Sequence, residues 1–151
     1  MLSMRGASPR AKGVWGWVMG HIWVEARLVN PINGAELKTR ALVDTEAAYT
    51  VIPWSIYEKL NLMIVGKKTV ETGKGPEELD ESFLVIEIKG KKAVTPVLIS
   101  RDLKDVLVGV LTLEALGLAV DPTTGELKES RILLLQTSNL EHHTQQHNQS
   151  T

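Results

Sequence analysis

The chain has 151 residues, 43% of them hydrophobic and 23% charged, enough for one globular domain with a sizeable core. A formal net charge of -1 and an isoelectric point near 6.4 exclude long-range attraction to nucleic acid or an anionic membrane surface. With no cysteine, a disulfide framework, a thiolate zinc site and a cysteine nucleophile are ruled out.

Residues 1–19 read as a flexible N-terminal segment. The opening MLSMRGASPRAKGVWGWVMG is basic at its start. Glycine and tryptophan interrupt each apolar run, and Pro9, Arg10 and Lys12 stand where a signal-peptide core would begin. No apolar stretch reaches the length of a membrane-spanning helix, so a cytoplasmic protein is expected. One domain is expected over 20–136, followed by a disordered polar tail over 137–151. The tail holds His142, His143 and His147. A flexible segment does not preorganise metal ligands, so no metal and no cofactor are expected.

Strand periodicity begins with Ile22, Val24, Ala26 and Leu28, which alternate with Trp23, Glu25, Arg27 and Val29. Asn30-Pro31-Ile32-Asn33-Gly34 predicts a turn, and Leu37, Thr39, Ala41 and Val43 the returning strand. That strand delivers the chain into Asp44-Thr45-Glu46. Tyr49 to Ile52 is β-branched and aromatic, a further short strand. Pro53 closes it and opens a short helix with Ile56 and Leu60 on one face.

Strand character returns at 64–72, and Gly73-Lys74-Gly75-Pro76 makes the tip of a hairpin spanning Glu71–Leu79. FLVIEIKGKKAVTPVLIS (83–100) predicts two strands about a turn at Gly90. Val106-Leu107-Val108 is an apolar strand ending at Gly109, and a helix follows, capped by Gly117. Asp121 to Gly125 is a turn, and Arg131 to Leu135 a last apolar strand. Many short strands, two short helices and no long βαβ unit predict an all-β, closed-barrel-like domain. Glu25 with Arg27 and Glu87 with Lys89 are expected as solvated charge pairs on strand faces.

An aspartate and a threonine after an apolar strand have an ordinary explanation, because their side chains hydrogen-bond nearby backbone groups in turns. A second motif alters the weighing. ALVDTEAAYTVIPWSIYEKLNL holds an apolar strand, Asp44-Thr45, Ala47, a short strand and a helix. Downstream, Leu107-Val108-Gly109 is followed by a helix and Leu116-Gly117-Leu118. Together these resemble the active-site segment and second signature of the retropepsin-like aspartic proteases, closest to small archaeal and bacterial single-domain members. The resemblance spans about residues 20–135.

What the resemblance implies is a closed-barrel retropepsin fold and an endopeptidase that hydrolyses peptide bonds with paired aspartates. One such motif in one short chain implies a symmetric homodimer, each subunit supplying Asp44, with Thr45 bonding across the two-fold axis. Peptide or protein substrate would lie against Glu46, Ala47, Ile52, Leu107, Val108 and Gly109. The hairpin tip Gly73, Lys74 and Gly75 would close over it. No nucleic acid or membrane partner is implied. The departure is Glu46, which stands where the family has glycine. A Cβ there threatens the substrate's path, any positive-φ requirement, and the charge around the aspartates. A catalytically inactive relative, acting as a dimeric peptide-binding or scaffold module, is the alternative.

Overall fold

The computed structural model describes residues 21–130. Among these residues nine strands and two short helices occur in the order β1 (His21–Val29), β2 (Glu36–Asp44), β3 (Thr50–Pro53), α1 (Trp54–Leu60), β4 (Gly66–Thr72), β5 (Gly75–Ile88), β6 (Lys91–Ser100), β7 (Val106–Val108), α2 (Val110–Leu116), β8 (Leu118–Val120) and β9 (Leu127–Glu129). The main sheet runs β1-β2-β7-β3-β6-β5-β4, and β1 also pairs with β5. That pairing closes six strands into a barrel and leaves β4 with the first half of β5 as a projecting hairpin. The all-β closed barrel with two short helices expected from the sequence is the architecture found.

The alternation of β1 and β2 puts Ala26, Leu28, Ala41 and Val43 into the core. Ile52, Leu84, Ile86, Val97, Val106 and Val108 join them from the other barrel strands, all without solvent exposure. Burying each of these larger side chains stabilises the fold by roughly 1.5–3 kcal/mol. Helix α1 buries Ile56 and Leu60 and ends at Asn61 in the left-handed region, φ 52°. The β1–β2 turn is tied to that helix end. Asn30, buried, donates from Nδ2 to the Leu60 and Asn61 carbonyls at 3.0 and 3.2 Å, and its Oδ1 accepts from the Ile32 N–H at 2.9 Å. A buried amide satisfied on both sides fixes the turn without a desolvation cost left over.

Three expectations need correction. The strand expected from residue 83 begins at Gly75, so Glu77, Glu78, Asp80 and Glu81 lie within β5. These charged residues have no apolar alternation to betray them. Pairing with β4 satisfies their backbone, and Lys67–Asp80 and Lys68–Glu81 ion pairs of 2.9 and 3.0 Å cross the ladder. The expected i, i+2 charge pairs are replaced by cross-strand ones. Arg27 reaches Glu87 on β5 at 2.7 Å and Glu36 on β2 at 2.8 Å, bridging the seam that closes the barrel. The Glu87 hydrogen bond, ahead of the attraction of both carboxylates, raises its pKa above the ordinary value. Finally, Leu118–Val120 and Leu127–Glu129 form a two-stranded ribbon that sequence alternation did not mark. The last strand expected, 131–135, lies outside the described residues, as do the tail histidines.

Candidate active site

The site grows from the end of β2. Strand β2 pairs in parallel with β7, setting Ala41, Leu42 and Val43 beside Val106, Leu107 and Val108. The chain leaves the barrel at Asp44, half-buried, and turns through 45–49 before re-entering as β3. Asp44 shapes this turn itself. Its Oδ1 accepts from the Glu46 N–H at 2.9 Å, and its carbonyl accepts from the Ala47 N–H at 3.2 Å. An aspartate that bonds the backbone two residues on is the Asx-turn expected of this residue type.

The turn is then fastened to the first turn of α2. The Val110 and Leu111 amides donate to the carbonyls of Ala47 and Ala48 at 2.9 and 3.1 Å. Below them the Gly109 N–H donates to Thr50 Oγ1 at 3.0 Å. Thr112 links Thr50 and Thr95 through hydroxyl contacts of 2.6 and 2.7 Å, and all three threonines are buried. This buried chain of hydroxyls was missed by sequence reasoning, because threonine in a strand or helix carries no signal of its partner. Thr112→Val should cost about 1 to 2 kcal/mol in chemical denaturation, since it leaves buried hydroxyls short of a partner. Thr112→Ser, keeping the oxygen, should recover most of that loss.

Gly109 has a specific steric reason. A Cβ there would lie 2.6 Å from the Ala48 carbonyl oxygen and 2.6 Å from the Tyr49 carbonyl carbon and oxygen. The loop carrying Asp44 therefore rests directly on this glycine, and the two sequence motifs are the two halves of one joint. The alternation of β7 separates its residues by role. Val106 and Val108 point into the core, while Leu107 points outward. Leu42 and Val51 are both paired with Leu107, so three half-buried apolar side chains form a row on the face from which Asp44 emerges.

The chain is similar to solved structures of proteases. The simian foamy virus (mac) protease matches at 22% identity and a TM-score of 0.45, over 62% of this chain and 92% of that one. The EIAV protease in complex with the inhibitor HBY-793 matches at 18% and 0.49, over 78% and 96%. A retropepsin-like aspartic protease from Rickettsia conorii matches at 20% and 0.43, over 70% and 90%. No family model matches the chain, and no curated protein does.

The expected site residues fall into three groups. Asp44, Thr45, Glu46, Ala47 and Leu107 come together around the loop. Thr45 and Glu46 are exposed, and the Thr45 hydroxyl has no partner among the described residues. Ile52, Val108 and Gly109 were expected at the substrate surface, but they are buried in the single chain. Inward strand positions fill the barrel, so Ile52 and Val108 lie beneath the face that carries Leu107. Gly73, Lys74 and Gly75 sit at the hairpin tip, remote along the chain, where Gly75 takes φ 106°.

The register of the hairpin adds residues that composition did not reveal. Lys68 pairs with Leu79 and Val70 with Glu77, so these four share one face. Lys68 Nζ lies 5.9 Å from the ring centroid of Tyr49, which turns that face toward the Asp44 loop. Lys67 and Lys68 are raised above the ordinary lysine value, first by hydrogen bonds to Asp80 and Glu81 and then by the attraction of those carboxylates. A raised lysine contributes to holding the hairpin fully below its ordinary value of 10.5, and that contribution is lost as pH rises through the folded-state value. The hairpin ties are therefore intact on the lysine side throughout the neutral range.

One feared consequence of Glu46 does not arise. Among the described residues, positive φ outside glycine occurs only at Asn61 and Lys89. Glu46 therefore takes an ordinary backbone conformation, without the strain that a left-handed position would impose.

Proposed function

We propose that the protein is an aspartic endopeptidase of the retropepsin kind that works as a symmetric homodimer, each protomer contributing Asp44. The observation that supports this most is the mounting of Asp44. It stands at the end of a core strand, on a short loop bolted to Gly109 and the start of α2, beside an outward apolar row. A turn-forming aspartate alone needs none of that bracing.

Two such loops meeting at a two-fold axis would bring two carboxylates within about 3 Å, where like charges cannot both ionise and one proton is shared. The ionised Asp44 takes a proton from a water held between the pair, and the water oxygen bonds to the peptide carbonyl carbon. The protonated Asp44 gives its proton to the carbonyl oxygen. When the tetrahedral species collapses, the C–N bond breaks and the leaving nitrogen takes the proton that the first Asp44 removed from water. The second Asp44 takes one from a hydroxyl of the gem-diol, which leaves the carboxylic acid and a singly protonated pair. The exposed Thr45 hydroxyl, without a partner among the described residues, is available to bond across the axis. Leu42, Val51 and Leu107 would receive apolar side chains of an extended peptide, and the hairpin face with Val70 and Leu79 would cover it by strand addition.

Dilution tests the reading. Cleavage of a mixed peptide library should fall per molecule as the protein is diluted, in step with dimer dissociation followed by sedimentation. A chain that stays monomeric at tens of micromolar yet cleaves, or a dimer that binds peptides and cuts none, would overturn the proposal. The second result would leave a peptide-binding module.

A further inference from the structure

We infer that Glu46 selects peptides carrying a lysine or arginine within a residue or two of the scissile bond. The inference rests on the reading of Asp44 as half of a dyad, and it goes beyond it by naming the class of substrate. Glu46 is fixed at the backbone and free at the tip. Its N–H is held by Asp44 Oδ1 at 2.9 Å, and the next residue is held on both sides, with Ala47 N–H on the Asp44 carbonyl and Ala47 carbonyl on the Val110 N–H. The side chain itself is exposed and forms no ion pair among the described residues. Its position is thus as well defined as that of the aspartate, while its charge has no counter-charge among the described residues.

The facing hairpin does not supply that answer. Lys68, the cation on the face turned toward the loop, is already held by Glu81 at 3.0 Å. The same face carries Glu77, which also lacks an ion pair among the described residues. Lys74 is the remaining cation of the hairpin, exposed at its tip. When a peptide covers the loop, water leaves and the Glu46 carboxylate is brought into a drier site. That site also holds the negative charge of the dyad. An unpaired carboxylate is costly there, and a like charge nearby raises the cost. A basic substrate side chain removes both penalties, while an acidic one adds to them, so discrimination comes from repulsion as well as attraction. The two-fold axis repeats Glu46 in both protomers, so the basic residue is accepted on either side of the cut.

The experiment compares three peptides that differ only in lysine, norleucine or glutamate beside the scissile bond. Each is made in a cleavable fluorogenic form and in a reduced-amide form that cannot be cut. The wild type should prefer lysine by about tenfold or more in kcat/KM, and equally in Kd for the reduced amides, because the pairing forms before the chemistry. Glu46→Gln should bring that ratio close to one, and Glu46→Lys should turn preference toward a glutamate peptide. Both variants change an exposed side chain, and circular dichroism and sedimentation confirm that fold and assembly are kept. A lysine preference that survives Glu46→Gln overturns the inference, as does absence of binding by all the peptides. Binding that discriminates without any Asp44-dependent cleavage would instead overturn the peptidase reading and leave this inference standing.

Discussion

Asp44→Asn should lose peptide cleavage by about three orders of magnitude or more, while its thermal melt and dimer dissociation stay close to those of the wild type. The change keeps the shape of the side chain, and the amide oxygen can still accept from the Glu46 N–H that Asp44 Oδ1 accepts at 2.9 Å. Under the proposed function, what disappears is the group that would exchange protons with water and with the substrate oxygen, an effect worth about 10²–10⁴-fold for a single positioned acid or base. In a dimer both copies are lost at once. Initial rates on the peptide library, with melting and sedimentation on the same preparations, measure all three quantities. Wild-type rates in the Asn variant would reduce Asp44 to a turn-former, and the chemistry would have to be sought elsewhere.

Gly109→Ala should cost about 3 kcal/mol of stability and take cleavage with it. The added methyl would meet the Ala48 carbonyl oxygen and the Tyr49 carbonyl group at 2.6 Å. Those are backbone atoms and cannot rotate aside. Either α2 must withdraw, breaking the Gly109 N–H bond to Thr50 Oγ1, or the loop must rise and carry Asp44 out of place. Gly73→Ala is the matched control. Nothing lies within 4 Å of a Cβ at Gly73, so its stability should change by less than about 0.5 kcal/mol. Chemical denaturation of the two variants separates steric contact from the general cost of replacing glycine. Equal, small losses in both would mean that the loop does not rest on Gly109 as described.

The position of Asp44 was legible because the signal is local. An alternating apolar strand, an aspartate with a hydroxyl neighbour and a second short strand are adjacent in sequence, and each states its own structure. The turn at Lys89-Gly90, with φ of 53° and 78°, and the helix end at Gly117, with φ of 72°, were readable for the same reason. The charged start of β5 was not. Glu77 to Glu81 carries no apolar alternation to mark a strand that continues past the expected hairpin, and its place becomes plain only when Lys67 and Lys68 on β4 are known to stand opposite. Nor could sequence show that Glu46 avoids positive φ, since that depends on how the whole loop is braced.

By itself, then, the sequence determined an all-β chain, the place where a strand hands over to Asp44, and the second carboxylate, Glu46, two residues on. Alternation reports which side of a strand meets the core, and turn residues report where direction changes. Both are properties of a few neighbouring residues. Tertiary structure alone decided that β7 lies parallel to β2, that Gly109 is the seat of the Asp44 loop, and that Leu107 faces outward while Val108 does not. It also joined Thr50, Thr95 and Thr112 into one buried hydroxyl chain. Gly109 and Thr50 are 59 residues apart along the chain. Contacts at that separation are set by how the whole barrel closes and packs, and no local pattern records them.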